Sequence, residues 1–533
     1  MRFVKSLVIL FFSLLLFSCQ SSQKTDLRNL APAETLVYLE TNNLGETLQT
    51  LTQAKSFQKL AKFTTDFSAL KNIQVAVVVT GFETSEKQIT DESAILNFKP
   101  RFALIGDTHS WESTAVSLVE INIGRFVKER YGEDIKLDKG EKNGIKFFHW
   151  TSKTNEKIFA NITGSLIFIG NDETIIDKCL AVKRGEADNL LKNPNFVTAF
   201  EKSNDEKNLA FGYISTDGIA QIANLAGVSV AIGTSEEDVV RSFIAKILPV
   251  LVQKTAKEVV WTAQKTEKGI EDKIQIKTDS EISGVWKETL IGANNPKFAA
   301  AHFIPNEFNS LTRYNLQNPQ IAWRSLLLTS SKQLDAISGK LLGEASASFL
   351  EPYGVADAET FLSAIGNEIV VIRFDDEGDE TVVIAEIKDI EKLKKSVSTE
   401  INFKSQPEKQ GTAEIWKSED KLFTAVFVEN ILILGETESI LKCLQAKEKG
   451  QNFIQSEYFQ RFTNNNSATI SVGKDTETAK KIVEVLGNRK DENQTSSSFY
   501  QTETRFDGNG IERKTVSDFG LIGMIIEQFE KEK

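Results

Sequence analysis

Two stretches of this 533-residue sequence are close variants of each other, and that repetition restricts the fold more than any other feature. Residues 157–185 read KIFANITGSLIFIGNDETIIDKCLAVKRG, and residues 421–450 read KLFTAVFVENILILGETESILKCLQAKEKG. Each spells an apolar strand with an aromatic, a turn, a second apolar strand, a Gly, an acidic helix start and a Lys-Cys-Leu on the helix. The agreement continues in order on both sides. Upstream, Trp150 and Trp416 each end a strand, and 117–132 pairs with 382–397 as a strand running into an amphipathic helix. Downstream, 208–227 pairs with 467–487, and Gly269 and Gly510 each turn a terminal hairpin. Ordered matches over most of both halves mark an internal repeat.

Strands in hairpin order with single interspersed helices read as α+β with mainly antiparallel sheet. The expected layout is a cleaved lipoprotein signal over 1–18, a polar tether over 19–30, and two tandem related modules over 31–295 and 296–533. Each module is expected to curve one sheet against packed helices. Each copy opens with a Pro-x-Glu segment, Pro32-Ala33-Glu34 and Pro305-Asn306-Glu307. The first copy carries an added amphipathic helix. Ser235 is placed to cap it, with Glu236, Glu237 and Asp238 in its first turn. Val240, Phe243, Ile244, Ile247 and Leu248 form one face, and Pro249 is expected to kink or end it. Trp286 and Leu290, at helical spacing, make 278–296 a packed connector.

The N-terminus fixes the compartment. Arg2 and Lys5 precede an apolar run over 7–17 broken only by Ser13, which is a secretory signal too short to span a bilayer as a mature helix. The run ends Leu16-Phe17-Ser18-Cys19, which resembles a lipobox, so Cys19 is the expected lipidation site and the membrane a partner through its acyl chains. Gln20 is not the Asp that resembles an inner-membrane retention signal, which favours the outer membrane, facing the periplasm or the surface, in a diderm cell. Net charge is -11 before the signal is lost, so phosphate backbones are repelled and nucleic acid is not an expected partner.

Pro32-Ala33-Glu34-Thr35-Leu36-Val37-Tyr38, Ile365-Gly366-Asn367-Glu368-Ile369-Val370, and Gly510-Ile511-Glu512-Arg513-Lys514 with Phe519-Gly520 resemble the bacterial family known as a domain of unknown function, DUF3352. The first copy departs from the second motif with Lys71-Asn72-Ile73-Gln74-Val75. The resemblance covers most of the mature chain, implies an envelope location, and brings no catalytic residues.

Chemistry is sparse. Metal sites are recognised by clusters. Asp107-Thr108-His109 offers two ligands without a third and reads as a solvated strand end. His149, alternating with Ile145 and Phe147, reads as a packed or edge residue, and His302 has no partner in sequence. Gly227-Val228-Ser229-Val230-Ala231 approaches a nucleophile elbow but ends in Ala and lacks a strand-turn-helix frame. No phosphate-loop or dinucleotide fingerprint occurs. Cys179 and Cys443 sit at equivalent helical positions and read as core residues, with a disulfide between them as the alternative. Catalytic, metal and cofactor residues are therefore expected to be none. The leading expectation is a non-enzymatic envelope lipoprotein that binds or scaffolds another envelope component. The alternatives are a carrier of a lipid or other hydrophobic ligand and a carboxylate-based envelope hydrolase.

Overall fold

The computed structural model describes residues 25–63, 66–71, 73–90, 93–232, 239–294, 297–397, 401–403, 405–491 and 494–528. Cys19, the signal, the tether up to residue 24, and Ser235, Glu236, Glu237 and Asp238 lie outside the described residues, as do the side chains of Val240, Phe243 and Ile244. The fold is α+β, with helices beside antiparallel sheet that does not close. Two compact units make up the chain. Unit 1 takes Met1–Ile274, Asp475–Ser498 and Val516–Lys533, and unit 2 takes Gln275–Lys474 and Phe499–Thr515.

In unit 1 the strands are β1 (Val37–Thr41), β2 (Gln74–Thr90), β3 (Ser93–Asp107), β4 (Lys136–Lys142), β5 (Ile145–Thr151), β6 (Lys157–Thr163), β7 (Leu166–Gly170), β8 (Asn208–Ile214) and β9 (Ala256–Thr266). They lie in the order β9-β8-β1-β2-β3-β7-β6-β5-β4, with every neighbouring pair antiparallel. The alternation of side chains along a strand assigns the faces. Tyr38, Val78, Ile105 and Phe168 join one apolar cluster with Ile176 and Cys179 of the helix Glu173–Lys183 and Phe196 of the helix Pro194–Ser203. A second cluster puts Leu51, Phe57 and Trp261 with Ile482, Val483, Phe519 and Ile522. β9 turns at Gly269 into β10 (Gly269–Thr278).

Unit 2 holds β11 (Ser310–Asn315), β12 (Ile365–Arg373), β13 (Thr381–Ile387), β14 (Glu408–Gln410), β15 (Ala413–Lys417), β16 (Phe423–Val428), β17 (Ile431–Glu436) and β18 (Thr469–Asp475). Their order is β18-β11-β12-β13-β17-β16-β15-β14, again antiparallel throughout. Taken in chain sequence, this repeats the order of β8-β1-β2-β3-β7-β6-β5-β4. The connector is the helix Ser280–Thr289, where Trp286 is buried and its indole donates to Thr329 Oγ1 at 3.0 Å.

One feature differs from the sequence reading. Residues 118–123 are not a strand: they are a π-helical stretch inside continuous helix, with Ala115, Val119 and Val127 buried beneath Phe148 and Trp150. The alternation of Val119-Glu120-Ile121-Asn122-Ile123 imitates a strand, and β3 instead supplies the strand before that helix. The compact units take non-consecutive stretches of the chain, because the helices Thr478–Leu486 and Gly520–Glu527 complete the cluster around Leu51 and Phe57 in unit 1. Of the two outcomes expected at Pro249, an end and a kink, the end does not occur, since the helix runs Val239–Thr255. Gly227 makes room for the ring, since a Cβ there would stand 2.4 Å from Pro249 Cγ.

Candidate functional site

A recess in unit 1 lies where β3, β6 and the end of β7 meet the start of the helix Glu173–Lys183. The turn from β5 to β6 is tight: the Ser152 amide donates to the Glu156 carbonyl at 2.9 Å, the Glu156 amide to Ser152 Oγ at 3.0 Å, and Asn155 takes φ +65°. Asn tolerates that left-handed conformation better than most residues. The turn holds Asn155, Glu156 and Lys157 along one rim.

The opposite rim is the end of β7. Gly170 lies too close to β3 for any side chain, as a Cβ would meet the Phe102 carbonyl at 2.6 Å. Asn171 then bridges back, accepting the Phe102 amide at 3.0 Å and donating to the Pro100 carbonyl at 2.8 Å. Asp172 caps the helix through the Thr174 amide at 2.9 Å and receives Arg101 at 3.4 Å. Lys99 and Glu173 complete the wall, and Phe159 is the floor. The recess holds about 380 Å³ and opens broadly to solvent.

His149 stands beside this floor. Its ring lies 4.9 Å from that of Phe159 and 5.0 Å from that of Phe147, and its Nε2 is 4.0 Å from Glu173 Oε1 without a hydrogen-bond partner among the described residues. The lining thus combines cations from Lys99 and Lys157 with anions from Glu156, Asp172 and Glu173. Such a recess offers charges of both signs to a ligand. No group of three or more His, Cys, Asp or Glu side chains comes together to hold a metal among the described residues.

The residues singled out from sequence scatter. Asp107 and His109 do adjoin, but Asp107 is buried and not solvated: it accepts the His109 amide at 2.9 Å and the Thr25 hydroxyl. His302 is exposed on a 3-10 turn of unit 2. The segment 227–231 lies inside the helix Thr216–Ile232, so it is not an elbow. Cys179 and Cys443 are free, fully buried thiols, each in the core of its own unit. Burial pushes the Cys179 thiol up to about 12 and that of Cys443 further. Sequence reasoning read His149 as a packed or edge residue and missed the recess, because its walls come from three separate segments of ordinary, mostly polar residues.

No family model matches the sequence, and no curated protein matches it. Among solved structures, the chain is similar to one described as "Structure of crystal form I of TP0453", at 10% identity and a TM-score of 0.25, over 51% of this chain and 90% of that one. A score that low assigns neither fold nor function.

Proposed function

We propose that this protein is a lipid-anchored, non-enzymatic envelope protein whose exported body binds a partner of mixed charge. The observation that carries the reading is the bipolar recess of unit 1, whose lining brings Lys99 and Lys157 together with Glu156, Asp172 and Glu173. Ion pairs at an open surface add little affinity and much orientation, which suits a scaffold that selects a polypeptide segment by charge pattern. The anchor rests on Cys19 and the apolar run before it, and the resemblance to DUF3352 supports an envelope setting. The body is read as two copies of one module. Their strand orders agree, and Glu40 on β1 stands opposite Ala76, two residues after Gln74, as Arg313 on β11 stands opposite Val370, two residues after Glu368.

A photo-crosslinking residue at Asn155, in the lipidated protein in intact envelopes, tests this. A discrete adduct is expected, and the double reversal Lys157→Glu with Glu173→Lys should abolish it while leaving the thermal midpoint in place. An adduct yield at Asn155 no higher than at exposed Lys202, or one indifferent to the reversal, would remove the recess from the proposal.

A further inference from the structure

The body grips its own N-terminal chain at the end of β3. Thr25 donates its hydroxyl to the carboxylate of Asp107, and Asp107, 1% exposed, is itself fixed by the His109 amide at 2.9 Å. Cys19 is only six residues upstream of Thr25. At roughly 3.3–3.6 Å per residue, a fully extended tether of that length spans about 22 Å at most. If Cys19 carries acyl chains, the end of β3 in unit 1 is held within about that distance of the bilayer.

Four residues beyond Asp107 stands Trp111, 70% exposed. Consecutive Cα atoms are 3.8 Å apart, so its backbone lies no more than about 15 Å from that of Asp107. The backbone there is well braced. The Trp111 carbonyl accepts the Thr114 and Ala115 amides at 2.9 and 3.2 Å. Thr108 is held by the Ser165 carbonyl at 3.0 Å, and Glu112 pairs with Lys146 at 2.7 Å and accepts the Gly164 amide at 3.2 Å. Ile121, 56% exposed, follows on the same helical segment. A large indole kept in water by a well-braced backbone forgoes the burial that other large aromatics of this chain obtain. Indoles favour the membrane–water boundary, where the ring leaves water and the N–H stays hydrogen-bonded.

We infer that Trp111 and the turn over 108–111 dock into the interface of the same bilayer that holds Cys19, setting the orientation of unit 1 at the membrane. This inference rests on the lipid-anchor reading, and its test separates the two. Lipidated full-length protein carrying Trp323→Phe, reconstituted into phosphatidylethanolamine–phosphatidylglycerol vesicles, leaves Trp111 as the accessible indole, since Trp150, Trp261, Trp286 and Trp416 are buried. Lipids brominated near the glycerol end of their chains should quench the emission, and Trp111→Phe, with its thermal midpoint unchanged, should remove most of that quenching. Quenching that is absent, or indifferent to Trp111→Phe, overturns the docking. Cys19→Ser protein that stays membrane-bound after signal cleavage overturns the anchor. Its release, with Trp111 unquenched in the lipidated form, sinks the docking alone.

Discussion

Arg313 and Glu368 are buried together inside unit 2, where the guanidinium Nε and Nη2 both donate to Glu368 Oε2, at 2.7 and 2.6 Å. The guanidinium also donates to the Phe462 carbonyl and lies over the Phe298 ring, 4.6 Å from its centroid. Burial pushes the Glu368 carboxyl upward, against the pull of Arg313. The pair therefore specifies a geometry more than it adds stability, because desolvation offsets most of the attraction.

Removing one partner should be costly. Arg313→Met leaves a carboxylate buried without its cation, a loss of about 3–5 kcal/mol. A carboxyl whose folded-state value is raised destabilises only when ionised, so the deficit should shrink as pH falls towards the ordinary carboxylate range. The double variant Arg313→Met with Glu368→Met should recover much of it. Denaturant unfolding at neutral and mildly acidic pH measures both, and a deficit indifferent to pH would place the cost elsewhere.

Asp272 links pH to unit 1. It is buried, accepts the Trp261 indole N–H at 2.7 Å and the Leu521 amide at 2.8 Å, and burial pushes its carboxyl up to about 6 against those two bonds. The folded chain thus holds this proton more tightly than the unfolded chain. The stabilisation is full below the ordinary value of 3.8 and is lost as pH rises through about 6, roughly 3 kcal/mol in all. The thermal midpoint of Asp272→Asn, followed against pH, should lack this component. Parallel curves for parent and variant across that window would disprove it.

Gly227 and Pro249 bring two helices of unit 1 together. A Cβ at 227 would meet Pro249 Cγ at 2.4 Å and the Ala245 carbonyl at 2.7 Å. Gly227→Ala should therefore cost about 1–3 kcal/mol by overpacking, despite the better helix propensity of Ala. Adding Pro249→Ala should restore part of the loss by removing the ring. Thermal unfolding of the single and double variants decides, and a neutral Gly227→Ala would show that the helices separate freely.

Much of the architecture was legible because it rests on local pattern. The hairpins of β6 with β7 and β16 with β17 announce themselves through apolar runs, turn residues and the helix starts at Glu173 and Thr437. Trp286 and Leu290 gave away the packed connector by spacing alone. Long-range choices were not legible. Nothing in Thr478–Leu486 says that Ile482 and Val483 pack with Leu51, and a charged residue within a strand, such as Arg313 or Glu40, reads as solvated until its partner is placed beside it. Asp107 was misread for the same reason, since Thr25 lies 82 residues away. The recess escaped because Lys99, Lys157 and Glu173 are common residues whose meaning lies only in their juxtaposition.

Cys179 and Cys443 provide the last test, one in each core. Both thiols are fully buried, and burial holds Cys179 protonated up to about pH 12. Because the thiolate is the reactive form, a maleimide reagent at pH 8 should find almost no target in the native protein. With Cys19 acylated, unfolding should expose two labelling sites, and the native labelling rate should follow the opening of each unit and not the reagent's own chemistry. Cys179→Ser, which buries a hydroxyl among Ile176, Leu180 and Phe168, should destabilise unit 1 by about 1–3 kcal/mol. Rapid native labelling, or a silent Cys179→Ser, would mean that the helix Glu173–Lys183 lies looser on its sheet than its packing indicates.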